Sequence, residues 1–422
     1  MSHDRQESGF KRRTRVARAR STIREVATPH GRTERVPLPD AEGRTVAETV
    51  TAPNPVPGYD RAAMDGYAVR AADTFGASER SPGVLRPTDG PVGPEEAARV
   101  HTGSDMPDGA DAVVMIEQVE EIGPDGDPAE LEVFDAVAEG ENVGDAGEDV
   151  AEGQRLYEPG HRLRPSDLGL LKSVGLGEVT VYDRPRVAVV PTGEELVQND
   201  PGPGEVIETN GLTVSRLVER WGGDATYREV VTDDEDALRE AVRRDLDHDV
   251  VVTTGGSSVG ERDLIPEVID GIGEVLVHGV ALKPGHPVAL GVVEGTPVLM
   301  LPGYPVACIV NAVQFLRPVL KDVGGMPVPP HPTRSATLTR KIPSEPGSRT
   351  FARVRLEPDE DAEDAGDAED ENPSPTATPT RASGSGVLSS VALADGWVVV
   401  PEAREGFDEG ETVVVQDWEW SA

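Results

Sequence analysis

The sequence predicts a multidomain α/β chain, and three observations carry that reading. Residues 186–325 alternate short β-branched runs with helical patterns, the order of elements that builds an open, mostly parallel sheet. The stretches on either side carry short apolar runs punctuated by Gly and Pro, the rhythm of small β domains. At 422 residues there is chain enough for about two to four cores.

Composition narrows the function classes. The formal charge is −37, and only five of the 40 basic residues are lysines (Lys11, Lys172, Lys283, Lys321 and Lys341). Such a surface disfavours nucleic-acid backbones, which require cations facing phosphate. It suits a cytoplasm at high salt, where the Debye length falls to about 3 Å at 1 M and self-repulsion is screened; the expected source is halophilic. Cys308 is the only cysteine, which excludes an intrachain disulfide or a Cys-rich metal site. No apolar run reaches the ~20 residues of a membrane span, and the Arg-rich start lacks a signal-peptide core. The expected location is cytoplasmic, with neither membrane nor nucleic acid as partner.

In chain order, residues 1–22 read as a disordered basic tail. Thr45 to Val50 reads as a short helix, ended by Pro53, Pro55, Pro57 and Gly58. A small β domain follows over residues 53–147. Within it, Met64-Asp65-Gly66-Tyr67 and His101-Thr-Gly103 join polar turns to apolar runs, and Asp145, Glu148 and Asp149 sit among glycines. Residues 148–185 return to mixed character. From Arg186 the expected elements are a strand at Val187–Val190, a helix at Leu212–Trp221, a strand at Tyr227–Val231 and a helix at Asp233–Leu246. Strands at Val250–Val252, Val288–Val293 and Val298–Leu301 come next. A closing helix carries Val306, Ile309, Val310, Val313, Leu316 and Leu320 at helical spacing. Strands of a last β domain occupy 336–356 and 387–415. Between them, residues 357–382 are acidic, Pro/Thr-rich and aperiodic, and read as a disordered insertion.

The chain is organised around Asp249 to Asp263: a β-branched strand, then Gly255, Gly256, Ser257, Ser258 and Gly260, then Glu261, Asp263 and a helical pattern. Open sheets build ligand crevices at such strand ends. Glycine lets backbone approach an anion, and helix-start N–H groups favour negative charge. On the residues alone the loop is either a tight turn or an anion cradle, and Asp263 either a helix-start carboxylate or a ligand to a divalent cation held against phosphate. Two more loops should reach the same edge: Pro191-Thr-Gly-Glu-Glu-Leu196 and Lys283-Pro-Gly285. Together they suit an anionic, phosphate-bearing ligand with Mg²⁺. No GxxxxGK[ST] sequence is present.

Seven motifs, in order, resemble the MoeA/gephyrin E-domain family of molybdopterin molybdenumtransferases. They are Ala63-Met-Asp-Gly-Tyr-Ala-Val69, His101-Thr-Gly103, Gly147-Glu-Asp149, Pro191-Thr-Gly-Glu-Glu-Leu196, Thr254-Gly-Gly-Ser-Ser-Val-Gly260, Lys283-Pro-Gly285 and Leu301-Pro-Gly-Tyr-Pro-Val306. The resemblance spans about residues 24–420, the acidic insertion apart. It implies four domains: an elongated domain split over 23–52 and 148–185, an inserted β domain at 53–147, a molybdopterin-binding α/β domain like the MoaB and MogA proteins at 186–325, and a C-terminal β barrel at 326–422. It further implies a homodimer, with the cleft between the α/β domain of one subunit and the second and fourth domains of the other. The implied reaction is insertion of molybdate or tungstate into adenylylated molybdopterin, with release of AMP and help from Mg²⁺. Alternatives are the preceding adenylyl transfer to molybdopterin, or a carrier without turnover. The adenylyltransferase of the pathway and recipient molybdoenzymes are the implied partners.

Carried over by motif, the catalytic positions are Asp65, Thr102, Asp149, Glu195, Asp263 and Lys283. Glu195, Asp263 and an acid in the run Asp233-Asp234 would hold the metal. Thr192, Gly193, Gly255, Gly256, Ser257, Ser258, Gly260, Pro284, Gly285, Pro302, Gly303, Arg353 and Ser385 would line the cofactor site. His286, Gly279, Tyr304 and Ala307 stand where many relatives carry other polar or basic residues, which leaves the choice between molybdate and tungstate open.

Overall fold

The computed structural model describes residues 13–123, 129–255, 264–358, 375–380 and 386–420. The tail before residue 13, most of the acidic insertion, and Gly256, Ser257, Ser258, Gly260, Asp263 and Ser385 lie outside the described residues.

At the centre is a six-stranded sheet in the order Asp224–Tyr227, Arg186–Pro191, Val250–Thr254, Thr296–Leu301, Ala289–Val293, Glu274–His278. The first four strands are parallel; the last two pairings are antiparallel. The sheet is thus mixed, not wholly parallel. Val187, Val189, Val250, Val252, Leu299 and Leu301 are buried on one face, and Val251, Val298 and Met300 on the other. Burial on both faces is why these strands read as continuous apolar runs. Helices Asn210–Arg220, Glu235–Arg244, Leu264–Ile272 and Pro305–Val323 cover them, the last passing through a π turn at Ala312–Leu316. Tyr227 ends its strand rather than starting one; Arg228 to Val231 leaves the sheet, rejoining it through a bridge between Val231 and Thr192.

The tail expected at residues 1–22 is ordered from Thr14 onward. A helix spans Val16–Val26 and buries Val16, Ala19 and Ile23 completely. It packs on the strands Glu274–His278, Ala289–Val293 and Thr296–Leu301 and on the closing helix. The apolar stripe at intervals of three and four was hidden among arginines, of which Arg15, Arg18 and Arg24 are exposed while Arg20 turns inward to Gln314.

Strands on the two sides of residues 53–147 pair with each other: Thr33–Pro37 with Glu178–Tyr182, and Val50–Thr51 with Arg155–Tyr157. The helix expected at Thr45–Val50 is not formed. Thr45 and Val46 make bridges to Arg162 and Val181, as suits β-branched side chains at a half-buried pleat. The intervening segment forms a six-stranded sheet, in the order Ala112–Met115, Gly66–Val69, Glu96–Val100, Gly83–Thr88, Glu130–Val133, Val119–Ile122.

At the C-terminus five strands close on themselves. Arg349–Glu357 pairs with Thr376–Pro379, which pairs with Thr333–Leu338, then Thr412–Gln416, then Gly396–Val400, which returns to Arg349–Glu357. Closure removes free sheet edges. Thr376–Pro379 lies inside the segment 357–382 expected to be disordered; its fully buried Ala377 anchors it in the barrel. Ser389–Ala392, read as strand, is a short helix.

Candidate functional site

The carboxyl ends of the parallel strands meet at one edge, and short backbone bonds fasten the loops there. Thr192 N–H donates to Thr254 O (3.1 Å), Gly193 N–H to Val231 O (3.1 Å), and Gly255 N–H to Leu301 O (3.1 Å). Gly255 has φ +120°, and a Cβ there would lie 2.0 Å from Thr192 O. Only glycine fits, for reasons of both conformation and space. Gly303 approaches within 3.4 Å of the Gly255 Cα by the same measure. Pro191-Thr192-Gly193, Gly255 and Pro302-Gly303 therefore form one wall. The hydroxyls of Thr192, Thr253 and Thr254 are buried there without a hydrogen-bond partner.

Two carboxylates lie beside this wall, Asp233 partly buried and Glu195 exposed. Burial, and after it the Glu195 charge, push the Asp233 carboxyl above its usual range. One Asp233 oxygen is buried without a partner. Asp234 is committed elsewhere: its carboxylate accepts from Ala237 N–H (2.9 Å) and caps the helix Glu235–Arg244. Between the two neighbouring acids, Asp233 is the one that belongs to the edge. Among the described residues no group of three or more His, Cys, Asp or Glu side chains is placed to hold a metal ion; Asp263 falls outside them.

Lys283 reaches the same edge from the antiparallel side of the sheet, because the strand Glu274–His278 runs in the same direction as Val250–Thr254. Leu282–Lys283 adds itself to the barrel strand Arg349–Glu357, which carries Arg353. Lys283 Nζ lies 2.6 Å from Glu345 in an exposed ion pair. Pro284 follows in a cis peptide, and Gly285 sits where a Cβ would strike the Asn311 amide at 2.2 Å. Arg353 is held in the barrel with its Nη1 donating to Phe351 O and its Nη2 to Ser390 Oγ (both 3.4 Å); burial draws its pKa down.

Asp65 and Thr102 form a second, separate group. Asp65 Oδ1 accepts from both Thr102 N–H (2.7 Å) and Thr102 Oγ1 (3.0 Å), which lowers the carboxyl pKa. The loop bearing Asp149 docks beside them: its N–H donates to Val56 O, and Val143–Gly144 pairs with Arg61–Ala62. All three side chains are exposed. Among the described residues no hydrogen bond or ion pair joins this group to the α/β edge.

Two positioning residues escaped the sequence reading. Asn210 Nδ2 donates to Gly303 O (2.7 Å), and Asn311 Nδ2 donates to Gly285 O (2.9 Å) and Ala307 O (2.8 Å). The signal for the first was a Thr-Asn-Gly helix start; for the second, an amide within an otherwise apolar helix stripe.

Comparison with known proteins follows the same division of the chain. Residues 14–175 match the MoeA N-terminal region (domains I and II), 188–322 a probable molybdopterin-binding domain, and 335–418 the MoeA C-terminal region (domain IV). A putative molybdopterin biosynthesis protein of Methanocaldococcus jannaschii is 36% identical over 392 residues, covering 90% of this chain and 91% of its own. The molybdopterin molybdenumtransferase of Bacillus subtilis is 31% identical over 415 residues, with 93% of each chain covered. The crystal structure of a molybdopterin biosynthesis MoeA protein from Pyrococcus horikoshii superposes with a TM-score of 0.81 at 34% identity, covering 96% of this chain and 99% of that one. The sheet edge, the closed barrel and the near-complete alignments lead to one assignment: this chain belongs to the MoeA family.

Proposed function

We propose that the chain is a molybdopterin molybdenumtransferase, inserting molybdate or tungstate into adenylylated molybdopterin and releasing AMP. The observation that carries the reading is the α/β edge, where glycine backbone and a carboxylate pair converge in a chain aligned almost end to end with named transferases. The N–H groups of Gly193 and Gly255 are spent on holding the wall together, so the main-chain donors for phosphate would come from the Gly256–Gly260 stretch with Ser257 and Ser258.

Mg²⁺ fits the donor set. Glu195 and Asp233 present hard oxygen ligands, and the repulsion between them is what a divalent cation relieves; Asp263 would be the third ligand. Bound there, Mg²⁺ supplies charge neutralisation at the pyrophosphate. Lys283, released from its exposed pair with Glu345, would neutralise charge developing on phosphate or oxyanion. Pro284 and Gly285 fix its direction, and Arg353 and Ser385 would hold the oxyanion from the C-terminal domain. Asp65, Thr102 and Asp149 would act from the other subunit of a homodimer, which gives their exposure and their separation from the edge a purpose. The setting is the cytoplasm of a halophile of archaeal type, with the pathway's adenylyltransferase upstream and molybdoenzymes receiving the product.

The test is metal insertion by the purified chain at molar KCl, with adenylylated molybdopterin, Mg²⁺ and either oxyanion. AMP release that depends on oxyanion and is lost in Asp263→Ala supports the reading and identifies the metal. Cofactor binding with no AMP release under either oxyanion overturns it in favour of a carrier.

A further inference from the structure

The closing helix of the α/β domain carries a group of cations that the reaction does not use. Lys321 is 2% exposed and Arg317 4%; they lie four residues apart and share a helix face. Arg20, from the N-terminal helix, donates to both the main-chain and side-chain oxygens of Gln314 on that face. Arg162 and Arg317 press on the Lys321 charge, and Arg317 and Arg20 on His331. In a chain with 77 acidic residues against 40 basic ones, none of Arg20, Arg162, Arg317, Lys321 and His331 makes an ion pair among the described residues. Asp322, the nearest acid in sequence, is taken by Arg24. Glu25 shares with Lys321 the lining of a surface groove of about 570 Å³, yet pairs with no cation among the described residues.

Buried cations without a counter-charge are unfavourable, and this arrangement also leaves donors unused. Arg317 Nε and His331 Nδ1 are buried with no hydrogen-bond partner, while Arg317 Nη2 is occupied by Pro329 O (2.8 Å). A guanidinium edge, an ammonium and an imidazole nitrogen gathered by one helix face and the Pro329–His331 segment that Arg317 holds match several oxygens better than a single spherical ion. We propose that Arg20, Arg317, Lys321 and His331 form a receptor for a free tetrahedral oxyanion of the phosphate or sulfate class. Lys321 lies about 24 Å along the helix from Pro305 at the crevice edge, so the receptor is distinct from the crevice.

Calorimetric titration of inorganic phosphate into the full chain, at constant KCl and pH 6.5, should show saturable one-site binding. Lys321→Met and Arg317→Gln should each weaken it at least tenfold, and a sulfate titration identifies the preferred anion. In phosphate-free buffer Lys321→Met should melt no lower than wild type, because it removes an uncompensated charge; that melt also establishes that the variant is folded. No saturable binding to wild type overturns the proposal, as does binding that both folded variants leave unchanged, which would place the phosphate in the crevice.

Discussion

Asp233 and Asp234 are chemically alike and adjacent, yet the fold gives them different work. Asp234 satisfies a free N–H at a helix start, and its replacement by Ala should cost about 1 kcal/mol of stability with AMP release within about twofold of wild type. Asp233 holds no helix end: burial and Glu195 oppose its ionisation, against one hydrogen bond from Glu194 N–H, so Asp233→Asn should leave stability within about 1 kcal/mol of wild type while abolishing turnover. Urea unfolding and the AMP assay on both variants check this; a reversed pattern would move the ligand to Asp234. The sequence could not choose between them, because either acid satisfies the motif and only the position of the helix start separates their roles. Asp65 and Thr102 were legible as candidates through their turn signals, but the hydrogen bonds that tie them together depend on two loops 37 residues apart.

At the scale of elements, strands were read more reliably than their surroundings. Val250–Thr254 and Thr296–Leu301 announce themselves by unbroken β-branched or apolar runs, whereas Thr376–Pro379 is set by barrel closure, which no local pattern encodes. The closing helix shows the same limit. Its apolar period was plain, but Pro318 cannot donate to Gln314 O and its ring crowds that carbonyl. The chain widens into a π turn at Ala312–Leu316, and Arg20 Nε donates to the stranded carbonyl instead (3.1 Å). One turn further on, burial, Arg162 and Arg317 lower the Lys321 pKa from 10.5 to about 7. The unfolded chain therefore binds more protons than the folded one between those values. In phosphate-free buffer stability should rise with pH from 7 to 9, by at most about 1.4 kcal/mol per unit. Urea unfolding of wild type against Lys321→Met isolates the effect; equal slopes in the two would show that Lys321 is not the group responsible.

For the whole molecule, charge dominates. With a net −37, the folded state is self-repelling at low salt, and screening should relieve it. Raising KCl from 0.1 to 2 M should raise Tm; for 422 residues unfolding together, a gain of about 2 kcal/mol corresponds to roughly 2 °C. A Tm that is flat or falls with KCl would refute a salt-adapted surface. The acidity was legible in composition alone, and the order of domains came with the resemblance. What composition concealed was the role of the chain's first ordered residues, because arginine-rich sequence looks solvated whether or not an apolar stripe runs through it. Val16, Ala19 and Ile23 seal the sheet from outside the segment that builds it. The α/β unit is consequently not a portable module: cut out at 186–325, it would expose an apolar footprint and lose the donor that completes its closing helix. Modular rearrangement of this protein would have to carry the N-terminal helix along, or replace its footprint with polar residues.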